Sequence, residues 1–260
     1  MPPVDAGKER PLHVHLTGFG PFRNVPVNPS WLAVQPLDGQ VLTEPPAPLV
    51  RGSSEASAAG PGGGGAGPPP PQRRPIRITA SLLPVEYVAV ERLAPALQEE
   101  SRDPGSPPPD VVIHVGVSGS DSAIRLEQRA RKVGYLSPDA QGRLAPAEGA
   151  EGAAQGARRG FVGEEWAEAP EELRTRVDGE RVIERVKGRG VEYISLSEDA
   201  GLYLCEYSFF ASLATAQRLN PSSPTPVQFV HVPPVGRPYS VEELTAALKL
   251  IVWAIGETLP

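Results

Sequence analysis

One short run constrains this chain more than any other. From position 111 to 115 it reads Val-Val-Ile-His-Val, β-branched and apolar at all but one site. A strand that is apolar on both faces is buried on both, and such strands belong to sheets covered by helices on each side. Further strand-like segments stand at 12–17, Ile76–Leu83, 191–196 and Val227–Val232. Between them the spacing turns helical. Asn28 followed by Pro29 marks a helix start. Residues 85–97 carry Val88, Leu93 and Leu97 on one stripe, and 178–187 form a helix closed by Gly188 and Gly190. A helix beginning near Ala200 or Gly201 carries Cys205 and runs through Phe209 and Leu213 to about Leu219. Ser240-Val241-Glu242-Glu243 opens a last helix in capping-box fashion. Strands alternating with helices predict an α/β fold: a single open, mostly parallel sheet flanked by helices on both faces.

Two stretches interrupt that alternation. Residues 44–75 are dominated by Pro, Gly, Ala and Ser, with homopolymer runs at Gly62 to Gly65 and Pro68 to Pro71. Such a composition buries too little apolar surface to offset chain ordering, so a disordered surface loop is expected there. Residues 137–170, rich in Ala, Gly and Glu, form a second variable insertion. Without them the remainder of 1–260 fits a single domain. The formal net charge is −6, with both signs interspersed. That gives no electrostatic footprint for nucleic acid. The apolar run at 246–255 is broken by Lys249 and is too short to span a bilayer, and the polar first ten residues do not read as a secretory signal. A lone cysteine allows no intrachain disulfide and suits a reducing compartment, so a cytoplasmic location is expected.

The chemistry-bearing candidates are few. Cys205 lies in the first turns of its helix, where outward-pointing N–H groups favour a thiolate. His231 stands at the end of the strand Val227-Gln228-Phe229-Val230-His231-Val232. One thiol and one strand-end imidazole are the minimum equipment of a cysteine hydrolase. On the residues alone, Cys205 also reads as a buried inert thiol and His231 as a satisfied strand-end histidine. His13 and His15 share a strand face and His114 lies in the central run. No further Cys or His stands near them, and zinc needs three or four ligands, so a metal is not expected.

Four separated segments carry a resemblance. They are Leu16-Thr17-Gly18-Phe19-Gly20-Pro21-Phe22 with Val27-Asn28-Pro29-Ser30-Trp31, then Val112-Ile113-His114-Val115-Gly116-Val117-Ser118-Gly119 with Ile124-Arg125-Leu126-Glu127, then the run around Cys205, and finally Phe229-Val230-His231-Val232-Pro233-Pro234. In this order they resemble the pyroglutamyl peptidase I family of cysteine peptidases, and the likeness covers most of the chain outside the two insertions. The resemblance implies Cys205 as nucleophile, His231 as base and then acid, and Glu127 as the carboxylate that orients the imidazole. It implies peptides with an N-terminal pyroglutamate as substrates, a thioester acyl-enzyme, and no cofactor.

For the neutral lactam, the resemblance points to apolar walls from Phe19 and Phe22, rings that core packing would equally explain. Asn28 either anchors the loop or touches the lactam, and backbone groups of Gly116 and Val117 face the ring's amide. Asp199 is an alternative third member, with helix N-capping its simpler role. Glu198 and Glu206 are expected to point away from a thiolate. One departure stands out: Gln128 follows Glu127 where the family often has Arg or Lys. Two rival readings remain, a thiol hydrolase of another small acyl or amide group, and a silent scaffold that recruits a partner through Pro68 to Pro71.

Overall fold

The structure is a computed structural model that describes residues 10–22, 25–50, 74–99, 107–149 and 157–259. Its strands are β1 (Leu12–Phe19), β2 (Val41–Leu42), β3 (Ile76–Leu83), β4 (Val111–Val117), β5 (Ile124–Glu127), β6 (Arg129–Arg131), β7 (Glu172–Arg174), β8 (Ile194–Ser197) and β9 (Val227–Val232). Its helices are α1 (Pro29–Val34), α2 (Tyr87–Glu99), α3 (Gly179–Lys187), α4 (Leu204–Leu219) and α5 (Val241–Thr258). Seven strands form one sheet in the order β2-β3-β1-β4-β9-β5-β8, and β6 pairs with β7 in a small separate ribbon. The pairs β1–β3, β1–β4, β4–β9 and β5–β8 are parallel, whereas β2–β3 and β5–β9 are antiparallel. The mostly parallel sheet is as expected. The reversal at β9–β5 is not, and it matters for the site.

Each face of the sheet has its own core. Leu12, Val14 and Leu16 of β1 and Val111, Ile113 and Val115 of β4 pack with residues of α1, α3 and α5. Val112 of β4 and Val227 and Phe229 of β9 pack on the opposite face against α2 and α4. The continuous apolar run is therefore buried on both sides because helices cover both sides. Gly18 shows how tightly they approach: a Cβ there would lie 2.8 Å from the Cα of Trp31, inside the backbone of α1. Among the described residues, no helix is long and apolar enough to cross a membrane.

The helix signals hold unevenly. Asn28 caps α1 with Pro29 at its first position, and Ser240 and Glu243 form the capping box of α5. Asp178 caps α3. In α2 the expected stripe holds in part: Leu93 and Leu97 pack partly buried against the core, whereas Val88 is 60% exposed and Tyr87, Val90 and Ala94 are buried. α4 starts at Leu204, not at Ala200 or Gly201. Gly201 and Leu202 have φ of 95° and 45°, and neither value is compatible with a right-handed helix.

The described parts of the two insertions are tied to the rest of the fold, while residues 51–73 lie outside the described residues. Residues 44–50 do not hang free. The Leu49 N–H donates to the Arg189 carbonyl at 2.8 Å, and Arg189 Nη1 donates to the Pro46 carbonyl at 3.0 Å. The positive φ of Gly190 belongs to this contact, since a Cβ there would meet the Leu49 carbonyl oxygen at 2.2 Å. Pro68 to Pro71 lie outside the described residues. Within the second insertion, Phe161 is fully buried and stacks on Tyr207 of α4 with ring centroids 3.9 Å apart.

Candidate active site

Strand alternation fixes which side chains meet. On β9 the odd positions Val227, Phe229 and His231 face α4, whereas Val230 and Val232 face the other core. On β5 Ile124 and Leu126 belong to that other core, which turns Arg125 and Glu127 toward the α4 side. On β4 Gly116 shares that side with Val112 and stands in register with His231. β5 runs against β9, so Glu127 lies opposite Phe229, two residues before His231. Glu127 therefore reaches His231 diagonally across the β9–β5 pairing. His231 and Gly116 stand near the carboxyl ends of β9 and β4, and Glu127 is the last residue of β5, which runs the opposite way.

The resulting contacts are short and dry. His231 Nδ1 and Glu127 Oε1 are 2.8 Å apart, and both side chains are buried. The second carboxylate oxygen of Glu127, Oε2, is buried with no hydrogen-bond partner among the described residues. Its full demand for a positive partner thus falls on the imidazole. Burial by itself pushes His231 toward the neutral form. The charge of Cys205 and a hydrogen bond with it, followed by those of Glu127, outweigh that and raise its pKa to about 10. The arrangement favours an imidazolium held between the Cys205 sulfur and the Glu127 side chain.

Cys205 is partly buried at the head of α4. It is the second residue of the helix, whose N-cap Tyr203 makes no side-chain hydrogen bond to the first turn. The uncapped N–H groups there supply partial positive charge next to the sulfur. Gly116 completes the approach: a Cβ on it would come 2.7 Å from Cys205 Sγ and 2.8 Å from Phe229 Cζ. Only a residue without a side chain leaves the thiol its place.

The expected substrate-side residues divide. Phe19 is buried in the α2–α4 core with Leu83, and Phe22 packs partly buried against the same cluster. Asn28 is buried and its amide is spent locally: Nδ2 donates to the Gly20 carbonyl, and Oδ1 accepts from the Ser30 N–H and hydroxyl. It ties the Phe19–Phe22 turn to α1. Val117 is half-buried at the end of β4 in register with Val232, and the Ser118 N–H beyond it is donated to the Val232 carbonyl. Gln128 points away from the site. Its amide donates to the Leu126 carbonyl and lies against Gly179.

The acidic neighbours of Cys205 are engaged elsewhere. Glu198 pairs with Arg174, and the buried Glu206 pairs with Arg131. Asp199 is not the N-cap of α4. It accepts from Arg131 and from the Gly201 N–H, because the turn at 201–202 separates it from the helix. Sequence reasoning passed over Arg131, and no local pattern marks it, since its partners lie 68 and 75 residues on. The other histidines are satisfied by hydroxyls. His13 and His15 bond Thr79, His15 also bonds Ser81, and His114 bridges Thr17 and Ser212 at 2.7 Å each. Burial drives His114 down to about 3, so it stays neutral. Among the described residues, no three metal-ligating side chains are grouped.

The chain is similar to several known proteins. A sequence model described as pyroglutamyl peptidase matches residues 76–245. The chain is 31% identical over 240 residues to pyroglutamyl-peptidase 1 of Homo sapiens, covering 92% of this chain and 87% of that one, and the same figures hold for the Rattus norvegicus protein. Among solved structures, a mutant pyrrolidone carboxyl peptidase from Pyrococcus furiosus superposes with a TM-score of 0.68 at 21% identity, covering 95% of this chain and all of the other. Pyroglutamyl peptidase I of Bacillus amyloliquefaciens gives 0.64 at 24% identity, with 94% and 97% covered. These two likenesses show the shared fold.

Proposed function

The chain belongs to the pyroglutamyl peptidase family, and we propose that it cleaves N-terminal pyroglutamate from peptides with Cys205, His231 and Glu127 as its catalytic set. It is a cysteine-type omega peptidase. The observation that carries the residue assignment is the buried His231, poised between a thiol and an otherwise unpartnered carboxylate.

The thiolate of Cys205 attacks the pyroglutamyl carbonyl, and the developing oxyanion turns toward the uncapped N–H groups at the head of α4. His231, already protonated, gives its proton to the departing amine, leaving a thioester on Cys205. The now neutral imidazole takes a proton from water, the hydroxide displaces the sulfur, and pyroglutamate leaves. Glu127 keeps the ring in the orientation that presents its other nitrogen to the sulfur and offsets the imidazolium charge throughout. Gly116 keeps the space beside the sulfur clear. Phe19 and Phe22 supply apolar wall on the lactam side, with Asn28 anchoring their turn rather than touching substrate, and the Gly116–Val117 backbone borders the ring. The reaction calls for no cofactor, and the reduced thiol it depends on suits a cytoplasmic setting.

A panel of fluorogenic amides tests the reading against a hydrolase for another small acyl group. Release from the pyroglutamyl amide, with none from the glutamyl or prolyl amide, is the expected result. Preference for either open or imino-acid analogue contradicts it.

A further inference from the structure

Leu202 is the only non-glycine among the described residues with φ in the left-handed region, at 45°, and it stands three positions before Cys205. A branched side chain resists that conformation, so something must hold it. The contacts that do so converge on one carboxylate. Glu206 Oε2 accepts the Leu202 N–H at 2.8 Å. The same carboxylate receives Arg131 through its backbone N–H at 2.9 Å, Nε at 2.7 Å and Nη2 at 2.8 Å. Arg131 also bonds Asp199 on the far side of the turn, and Asp199 accepts from Gly201. From across the site, Gly134 makes room for the Leu202 side chain, which a Cβ would approach to 3.2 Å. Glu206 is 1% exposed, so these bonds face little competition from water.

Resting on the peptidase reading, we infer that Glu206, clamped by Arg131, is a positioning residue: it fixes the left-handed turn at Leu202 so that the first N–H groups of α4 are aimed at the carbonyl oxygen of the reacting acyl group. The bonds of the Glu206 carboxylate go to Leu202 and Arg131. Its effect is on the direction in which the chain enters α4, because residue 202 sets the path into Tyr203, Leu204 and Cys205. The four bonds use both carboxylate oxygens, and an amide cannot replace them, since one of its two polar atoms donates.

The experiment compares wild type, Glu206→Gln and the double variant Leu202→Gly with Glu206→Gln, using a pyroglutamyl amide and, separately, the rate of Cys205 alkylation by iodoacetamide. The inference expects Glu206→Gln to lower kcat by roughly 10- to 100-fold, the scale of a misdirected oxyanion donor or small misplacement. KM and the alkylation rate should stay within about twofold, since binding and the Cys205–His231 pair are untouched. Glycine adopts positive φ freely, so the double variant should recover most of the lost kcat. Unchanged kcat in a folded Glu206→Gln overturns the inference. So does a parallel fall of kcat, alkylation rate and melting temperature that Leu202→Gly does not rescue, which makes Glu206 structural only. A wild type that alkylates normally but turns over no pyroglutamyl amide overturns the peptidase reading, and the inference with it; an active wild type confines any failure to the inference.

Discussion

Replacing Gly116 with alanine adds one methyl group where the structure leaves no room. The new Cβ would sit 2.7 Å from Cys205 Sγ and 2.8 Å from Phe229 Cζ. Against an ordinary contact of at least 3.4 Å, it is short by about 0.7 and 0.6 Å, and both neighbours must yield. Phe229 has little freedom. It is fully buried, with ring centroids 6.0 Å from Phe209, 6.3 Å from His114 and 4.7 Å from His231. The sulfur is the softer partner, and moving it means leaving His231. Overpacking of this kind costs roughly 1–3 kcal/mol of stability. Displacing the nucleophile by something near an ångström costs about 100-fold in rate. The assay is kcat/KM on a pyroglutamyl amide beside urea unfolding, with Gly119→Ala as control, since a Cβ at Gly119 meets nothing within 4 Å. A Gly116→Ala variant with wild-type kcat/KM would refute the placement of the thiol against β4.

Two further outcomes follow from the histidines. His231 has its pKa raised to about 10 against an unfolded value of about 6.5, so its stabilisation is complete below about pH 6.5 and is lost as pH rises through 10. The alkaline limb of kcat/KM should accordingly lie near pH 10, and Glu127→Gln should move it to lower pH while cutting kcat by roughly 10²- to 10⁴-fold; an unmoved limb contradicts the pairing. His114 has its pKa lowered to about 3, so its neutral burial is free of penalty above about pH 6.5 and grows costly below it. From pH 6.5 to 5 wild type should lose about 2 kcal/mol in urea unfolding from this group, and His114→Gln should lose less. His231 adds only a small slope of opposite sign in that window, because it stays protonated in the folded chain while the unfolded imidazole goes from half to nearly fully protonated, and this contribution is common to both proteins. Equal slopes in the two proteins would mean that His114 is not held neutral.

Much of this was legible in the sequence because it depends on short-range pattern. The doubly apolar run named the covered sheet, and Asn28-Pro29 and Ser240-x-x-Glu243 named two helix starts through caps that are local by nature. Cys205 and His231 stood out as the lone thiol and a strand-end imidazole. Glu127 came only through resemblance, since its pairing depends on the antiparallel β9–β5 contact, which no periodicity reports. The start of α4 was misread for a related reason. Asp199 looks like an N-cap until the positive φ of Gly201 and Leu202 intervenes, and Glu206, which holds that turn, is itself clamped by Arg131 of β6, far back in the chain. Leu49 and Phe161 lie in stretches whose composition suggested insertions, yet each finds a long-range partner, Arg189 and Tyr207. Composition describes what a segment can bury on its own and is blind to what the rest of the fold offers it.

Every role proposed for the site rests on Cys205 breaking a pyroglutamyl amide bond. Release of a fluorescent amine from a pyroglutamyl amide under reducing conditions, in wild type and in Cys205→Ala, tests it most directly. Steady turnover is expected in wild type and none in the variant, with both proteins folded. A folded, reduced wild type that releases no amine, or a Cys205→Ala protein that still does, would contradict it.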